Sequence, residues 1–390
     1  MDAETGMDAE TGRGPVGIAV IGAGYWGPNL VRNAQATPGL RLEYLCDLDV
    51  DRAKRVLGDY STVRVSGSVD EVLADPAVEA VAIATPTFTH QPIAMAALQA
   101  GKHVLVEKPL AMSYAEGRPL VDAAERLDRV LMLDHTYVYT DAVAQIAKLV
   151  RSGEIGDLQY LDSVRINLGL VQPDVDVLWD LAPHDLSIFE AILPDDIWPV
   201  SVAAHGADPV GAGRACVAHL TIRLSNEMLA HVHVNWMSPT KIRTMIVGGS
   251  RRMILWDDLN PVQRLSVHDR GVDKIAAGEL PTEARGKTMV SYRTGDTVAP
   301  ALRNTEALRS VMVEFAAAIT GKRAALTDGW AGLRVLAILE AASESLAKEG
   351  IPVPIREIDG APGSHLRRDT AAAGEEATVR ARRGRGEVTV

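Results

Sequence analysis

The chain has 390 residues, 47% of them hydrophobic, which suits one large domain or two ordinary ones. Its net charge of −11 and its pI near 5.4 exclude a general nucleic-acid or anionic-membrane surface, since either needs clustered positive charge. Two cysteines, Cys46 and Cys216, are too few for a disulfide framework or a cysteine-based metal site, and they fit a reduced, cytoplasmic setting.

The hexapeptide MDAETG occurs twice, at 1–6 and 7–12. It is too short for a structural repeat, and residues 1–13 read as a disordered lead-in. No basic region followed by an apolar core marks a secretory signal, and no apolar run reaches membrane-spanning length. No membrane partner is expected.

Residues 16–27 read VGIAVIGAGYWG. A short run rich in Val and Ile suits a buried parallel strand. Gly22, Gly24 and Gly27 follow in the order G-x-G-x-x-G, and a helix is predicted over 29–36. In that context the glycines supply a tight turn, close approach to a pyrophosphate and close helix–strand packing. The helix N-terminus offers free N–H groups and a positive dipole end. A second apolar run, 40–46, ends in Asp47, where such folds place an acid on the adenosine ribose. A carboxylate there accepts from a 2′-hydroxyl and repels a 2′-phosphate, so NAD is expected in preference to NADP. The plainer alternative is a glycine turn with Asp47 capping a loop.

Strands are predicted at 80–84, 104–106 and 130–133, with helices at 91–99 and 115–127. Alternation at this spacing means a doubly wound parallel sheet over 14–137, with ligands beyond the carboxyl ends of its strands. Thr85-Pro86-Thr87, Glu107-Lys108-Pro109 and Asp134-His135 stand at those ends.

From about residue 140 the pattern changes. A helix over 142–151 is followed by alternating stretches at 158–168, 215–224, 228–236, 242–247 and 252–256. Helices are predicted over 304–320 and 329–348. Residues 138–358 read as an α+β domain on a large open, mainly antiparallel sheet. Residues 359–390 lack apolar content and read as a disordered tail. Arg380, Arg382, Arg383 and Arg385 could touch nucleic acid there, but Glu375, Glu376 and Glu387 dilute their charge, and a solvated tail is the expectation.

A lysine sheltered at the position of Lys108 is usable for proton transfer or for polarising a substrate oxygen. The alternative is a surface lysine at a turn. In LWDLAPHD, Asp180 can be a helix N-cap with Pro183 in the first turn. Residues four apart share a helix face, so Asp180 could orient His184 for acid–base work. A hydrogen-bonded core histidine is the competing reading. No third ligand lies at helical spacing, and no metal is expected.

Thr85, Thr87 and His90 can touch the cofactor ribose or belong to the capping of the next helix, with Thr89 its N-cap. Asn235, Lys241 and Arg243 could bind an anionic substrate or be exposed strand residues. Arg165 and Asn167 stand between the same alternatives.

Together GAGYWG, ATPTFTH, EKPL and D-x-x-x-H, in that order, resemble the Gfo/Idh/MocA oxidoreductase family, as does the ending DGWAGLRVLAILEAASESL. The resemblance runs from Val16 to about Pro354. It implies a Rossmann domain followed by an open-sheet domain used for substrate and oligomer contacts, and a homo-oligomer, dimer or tetramer. It implies Lys108 and His184 as a catalytic pair, one from each domain, with Asp180 beside them. Cofactor contacts would come from Gly22, Gly24, Tyr25, Trp26, Gly27, Asp47, Thr85, Pro86, Thr87, His90, Glu107 and Lys108. Substrate contacts would come from Arg165, Asn167, His184, Asn235 and Lys241.

The implied substrate is a sugar, cyclitol or nucleotide-linked sugar. WDLAPHDLSI, NWMSPTKIRT and SYRTGDTVAP look closest to members acting on nucleotide-activated sugars at C3. Some deoxysugar 3-ketoreductases of the family carry Tyr where His184 stands. The expected activity is oxidation of a sugar secondary alcohol by NAD. The alternatives are NAD(P)H-dependent keto-sugar reduction, an inositol-type dehydrogenase, an NAD-dependent glycosidase, and a non-catalytic dinucleotide sensor.

Overall fold

The structure is a computed structural model describing residues 14–172, 175–274 and 290–358. The readings of 1–13 and 359–390 lie outside those residues.

The strand β1 (Val16–Ile21) is buried along its whole length, as its unbroken apolar run requires. After it come α1 (Gly27–Ala36), β2 (Leu40–Cys46), α2 (Val50–Leu57), β3 (Arg64–Ser66) and α3 (Val69–Ala74). A second run comprises β4 (Ala80–Ile83), α4 (His90–Gln99), β5 (His103–Glu107), α5 (Tyr114–Arg126) and β6 (Leu131–Asp134). The six strands pair in parallel, in the order β3-β2-β1-β4-β5-β6. This is the expected doubly wound sheet. Its order reverses between β1 and β4, the crevice where such sheets take ligands.

The elements α2, β3 and α3 escape the hydrophobic pattern. In α2 the buried residue is Ala53 alone, and β3 is three residues long. The two helices are anchored by caps instead, with Asp49 and Ser68 accepting from the Arg52 and Glu71 amides.

Next come α6 (Asp141–Arg151), β7 (Leu158–Leu168) and α7 (Val177–Ile192). Then follow β8 (Pro199–Ala207), β9 (Val217–Leu224), β10 (Leu229–Asn235), β11 (Met237–Gly249), β12 (Met253–Asp257) and β13 (Leu265–His268). The strands β14 (Gly271–Lys274) and β15 (Val290–Arg293) form a separate ribbon. Last are β16 (Thr297–Val298), α8 (Ala307–Gly321), α9 (Gly329–Ala347) and β17 (Val353–Pro354).

The second sheet has nine strands, in the order β16-β13-β12-β11-β7-β10-β9-β8-β17. It is antiparallel except where β10 runs parallel to β7. Alternation sorts its faces. On β10, Ala230, Val232 and Val234 are buried, while Leu229, His231, His233 and Asn235 line the more open side.

Packing divides the chain into two units, neither continuous in sequence. The first takes the residues up to Gln145 together with Trp179–Ala191 and Ala301–Glu340, and the second holds Ile146–Leu178, Ile192–Pro300 and the residues from Ala341. The reason is visible in the core of the first unit. Leu308, Val311, Met312 and Phe315 of α8 share one buried cluster with Ile18 and Val20 of β1 and with Leu30, Val31 and Ala34 of α1. Full burial of a side chain like Phe315 is worth about 1.5–3 kcal/mol. Asp180 and His184 thus belong to the same unit as Lys108. Among the described residues, no helix is long and apolar enough to cross a membrane.

Candidate active site

The glycine turn is built by backbone contacts that leave no room for side chains. Gly22 has φ +104°, a conformation that L side chains rarely adopt. Its amide bonds the Cys46 carbonyl at 2.7 Å. A Cβ on Gly27 would stand 2.1 Å from the Gly22 carbonyl oxygen, whereas one on Gly24 would meet nothing within 4 Å. The loop is therefore closed towards the sheet and open at Gly24, as a phosphate cradle must be. Helix α1 begins at Gly27 with Pro28 in its first turn, no acid there and no side-chain cap. Pro28 has no N–H, and the Asn29 and Leu30 amides turn back to the Trp26 carbonyl at 2.9 and 3.4 Å, so the Gly27 amide and the helix dipole are what this end offers an anion.

Asp47 directly follows β2 and is half-buried. Its Oδ2 accepts from the Ala23 amide at 2.6 Å and its Oδ1 from the Asp49 amide at 2.8 Å. It therefore braces the glycine loop. Beside it, burial pushes the Cys46 thiol up to about 11. Tyr25 is 94% exposed. Trp26 is half-buried, and its indole Nε1 lies 3.5 Å from Asp134 Oδ2, which ties the loop to the end of β6.

At the end of β4, Thr89 occupies the N-cap position of α4 but caps nothing. Its hydroxyl donates to Thr85 Oγ1 at 2.6 Å and to the Pro86 carbonyl at 2.7 Å. His90 is buried, with Nδ1 2.8 Å from the Pro109 carbonyl and Nε2 2.9 Å from the Thr85 carbonyl. Burial pushes its pKa down, and the two carbonyls pull it back up. The ring frames the crevice by holding two strand ends; with both nitrogens engaged, it is not set up for the cofactor contact expected of it. Pro86 is exposed and Thr87 half-buried at the mouth.

Lys108 follows β5, and its peptide bond to Pro109 is cis. Its ammonium bonds the Asp180 carbonyl at 2.8 Å and Asp180 Oδ1 at 3.3 Å. Both side chains are about one-fifth exposed, at 18% and 21%. The lysine is held within the first unit, not loose at a turn.

Helix α7 starts three residues earlier than Asp180, which is therefore not its N-cap, and Pro183 lies inside it. Proline lacks the N–H that would reach back four residues, to Trp179, and its ring crowds that carbonyl. The loosened turn presents the next carbonyl, that of Asp180, to an outside donor, and Lys108 takes it. His184 lies one turn on, on the same face. Its ring meets that of Tyr137 edge-on, with centroids 5.0 Å apart at 72°.

Asp134 and His135 stand at the strand end where the sequence put them, whereas composition and pattern gave no warning of Tyr137 or of the contact of Trp26 with Asp134. The usable signal for Tyr137 was position, just beyond the carboxyl end of β6.

Apart from His184, the predicted substrate residues lie in the second unit, and they do not all share a face. Arg165 is 3% exposed and pairs in register with Arg243 of β11. Asn167 shares its side of β7 by alternation. Asn235 pairs in register with Ile166, one residue off, and so points to the opposite face from Arg165. Its Oδ1 accepts from the Met237 amide at 2.6 Å. Asn235 and Arg165, both expected at the substrate, therefore take opposite faces, because a one-residue step reverses the face. Lys241 is exposed beside a register shift in β11. Among the described residues, no group of three or more His, Cys, Asp or Glu side chains is placed to hold a metal ion.

A family model described as "Oxidoreductase family, NAD-binding Rossmann fold" matches residues 16–135, and one described as "GFO/IDH/MocA C-terminal domain" matches 143–254. The UDP-N-acetylglucosamine 3-dehydrogenase of Acidithiobacillus ferrooxidans is 31% identical over 321 residues, 82% of this chain and 93% of that enzyme. A solved structure of that enzyme superposes with TM-score 0.71 at 27% identity, covering 86% of this chain and 99% of its own. An inositol dehydrogenase homolog from Azotobacter vinelandii, solved with NADH and myo-inositol, shares the fold with TM-score 0.70 at 21% identity, covering 87% of this chain and 97% of its own.

Proposed function

The chain belongs to the Gfo/Idh/MocA family of NAD-binding oxidoreductases, and from that premise we propose that it oxidises a secondary alcohol of a nucleotide-activated sugar, at C3. The observation that carries this reading is the clamp of Lys108 on Asp180, one helical turn before His184, at the carboxyl end of the parallel sheet. The likeness to a UDP-N-acetylglucosamine 3-dehydrogenase supports the substrate class.

NAD, when bound, supplies the hydride acceptor. His184 accepts the proton of the substrate hydroxyl. The Lys108 ammonium donates a hydrogen bond to the same oxygen as negative charge develops on it. Asp180 fixes that ammonium from two sides, so little reorganisation is needed as the charge appears. The Tyr137 ring limits the tilt of His184. Gly22, Gly24 and Gly27 shape the cradle, and Arg165, Asn167 and Lys241 are assigned to the substrate. We keep the division into a nucleotide-binding domain over 14–137 and a substrate domain over 138–358 as the functional one.

The experiment is a panel of UDP- and dTDP-linked sugars with NAD, following NADH by absorbance. Steady NADH formation on a nucleotide sugar is expected. Release of free sugar without net NADH would mark a glycosidase instead, and no turnover on any member would remove the reading.

Asp47 is assigned to the adenosine ribose. Asp47→Asn keeps an oxygen for the Ala23 amide, gives up the one that accepts from the Asp49 amide, and removes the charge that repels a 2′-phosphate. The ratio of kcat/KM for NADP over NAD should rise about tenfold or more, which corresponds to about 1.4 kcal/mol. An unchanged ratio would take Asp47 off the ribose.

The assembly is assigned as a homo-oligomer joined through the open face of the nine-stranded sheet, where Val164, Ile242, Ile246 and Leu255 are only half-buried. Sedimentation velocity returning a monomer would discard this. Cys46 and Cys216 are free and buried, in keeping with the reducing cytoplasm.

A further inference from the structure

Glu107 ends β5 and Asp134 ends β6, and the strand register sets them side by side. Glu107 Oε1 is buried without a hydrogen-bond partner, and two carboxylates paired in register and shut off from water cannot both stay ionised without strong repulsion. Burial, with the neighbouring Asp134, holds the Glu107 carboxyl well above the usual carboxylate range. Burial raises Asp134 as well, but donors oppose it. Asp134 accepts from the Thr136 hydroxyl at 2.7 Å and from the Trp26 indole at 3.5 Å. The proton therefore sits on Glu107 and the charge on Asp134.

The other titratable neighbours are accounted for. His135 is 1% exposed, neither ring nitrogen has a partner, and burial pushes it down to about 3, so it is uncharged. His90 is lowered by burial. Lys108 is the nearby cation, and Asp180 already faces it.

The pair stands on the β4-β5-β6 side of the switch point, across β1 from Asp47 on β2. A dinucleotide whose adenosine ribose meets Asp47 carries its nicotinamide to this side. The oxidised ring is cationic and the reduced ring neutral. We propose that Glu107 and Asp134 form a singly charged carboxyl pair that favours the oxidised over the reduced nicotinamide, making the bound couple a stronger hydride donor than the free one. The charge is buried, so its effect on a nearby cation is little screened.

The test is the ratio of Kd for NAD+ to Kd for NADH, measured by titration without substrate. Glu107→Gln keeps a donor to Asp134 and keeps the charge, so the ratio should move by less than about threefold. Asp134→Asn, alone or with Glu107→Gln, removes the charge and should raise the ratio about tenfold or more. Tenfold is about 30 mV for a two-electron couple. NADH affinity serves as the check on an intact site, because a merely structural loss weakens both forms together.

A shift with Glu107→Gln as large as that with Asp134→Asn, or an unchanged ratio with Asp134→Asn, overturns the proposal. It rests on NAD binding in this crevice. Wild-type protein that bound neither form would overturn that premise, whereas normal binding with an unmoved ratio overturns the charged pair alone. Should Asp134→Asn fail to fold, calorimetry of NAD+ binding to the wild type in two buffers of different ionisation enthalpy decides. A pair already singly charged releases no proton on binding. Release of roughly one proton would show a neutral pair and overturn the proposal.

Discussion

Lys108→Ala should lower kcat by about 10² to 10⁴, the range for losing a positioned acid–base group, while the Kd for NAD changes little. The loss falls on the chemical step because the ammonium is set against Asp180 near His184, away from the glycine cradle that binds phosphate. Asp180 is left with a carbonyl and a carboxylate no longer bonded to Lys108, so the variant removes a charge pair as well as a donor. His184→Ala should fall in the same range. The two effects should not add, since both groups are assigned to one oxygen. Single-turnover reduction of NAD with each variant, beside an NAD titration, checks this. Full turnover by the doubly substituted protein would remove both residues from the chemistry.

Gly27→Ala should weaken NAD binding by about one to two orders of magnitude. The added Cβ would lie 2.1 Å from the Gly22 carbonyl oxygen and 3.0 Å from its carbon, and both are backbone atoms that cannot swing aside. Overpacking of this kind costs about 1–3 kcal/mol, and each 1.4 kcal/mol is about tenfold in affinity. The strain opens the contact between the turn and the start of α1, so the unfolding midpoint should fall as well. Gly24→Ala separates the two effects. Its Cβ meets nothing within 4 Å, so the midpoint should hold while NAD affinity drops, because the new methyl stands where the phosphates approach. Unaltered NAD binding in Gly24→Ala would mean that the cofactor does not use this loop.

Much of the nucleotide-binding half was legible in the sequence because its signals are local. A glycine triplet between an apolar strand and a helix, with Asp47 one strand later, needs no distant information. Lys108 and the Asp180–His184 spacing were legible for the same reason. What was hidden depends on contacts far apart along the chain. Helix α8 is amphipathic wherever it packs, and nothing in its pattern says that Phe315 closes the core over β1 and α1. Lys108 and His184 fall in the segments matched by different domain models, yet Trp179–Ala191 packs with the first unit, which no local pattern announces. The helix start at Val177 was missed because Pro183 looked like a first-turn residue, although its cost in the interior is offset here by the Lys108 contact with the loosened turn. That Asn235 and Arg165 take opposite faces was hidden, because alternation gives the two faces of a strand but not which face meets which neighbour. Asp134 and Trp26 could not be paired in advance, since no spacing rule links a glycine loop to the end of the sixth strand.

The most direct measurement uses a UDP-linked sugar found active in the panel, carrying deuterium at C3, incubated with NAD+ and the protein. Mass spectrometry of the reduced cofactor should show one deuterium gained, with the signal lost in Lys108→Ala and His184→Ala. Reduced cofactor without the label would place the chemistry at another carbon. Label transfer that persists at the wild-type rate in both variants would contradict the account.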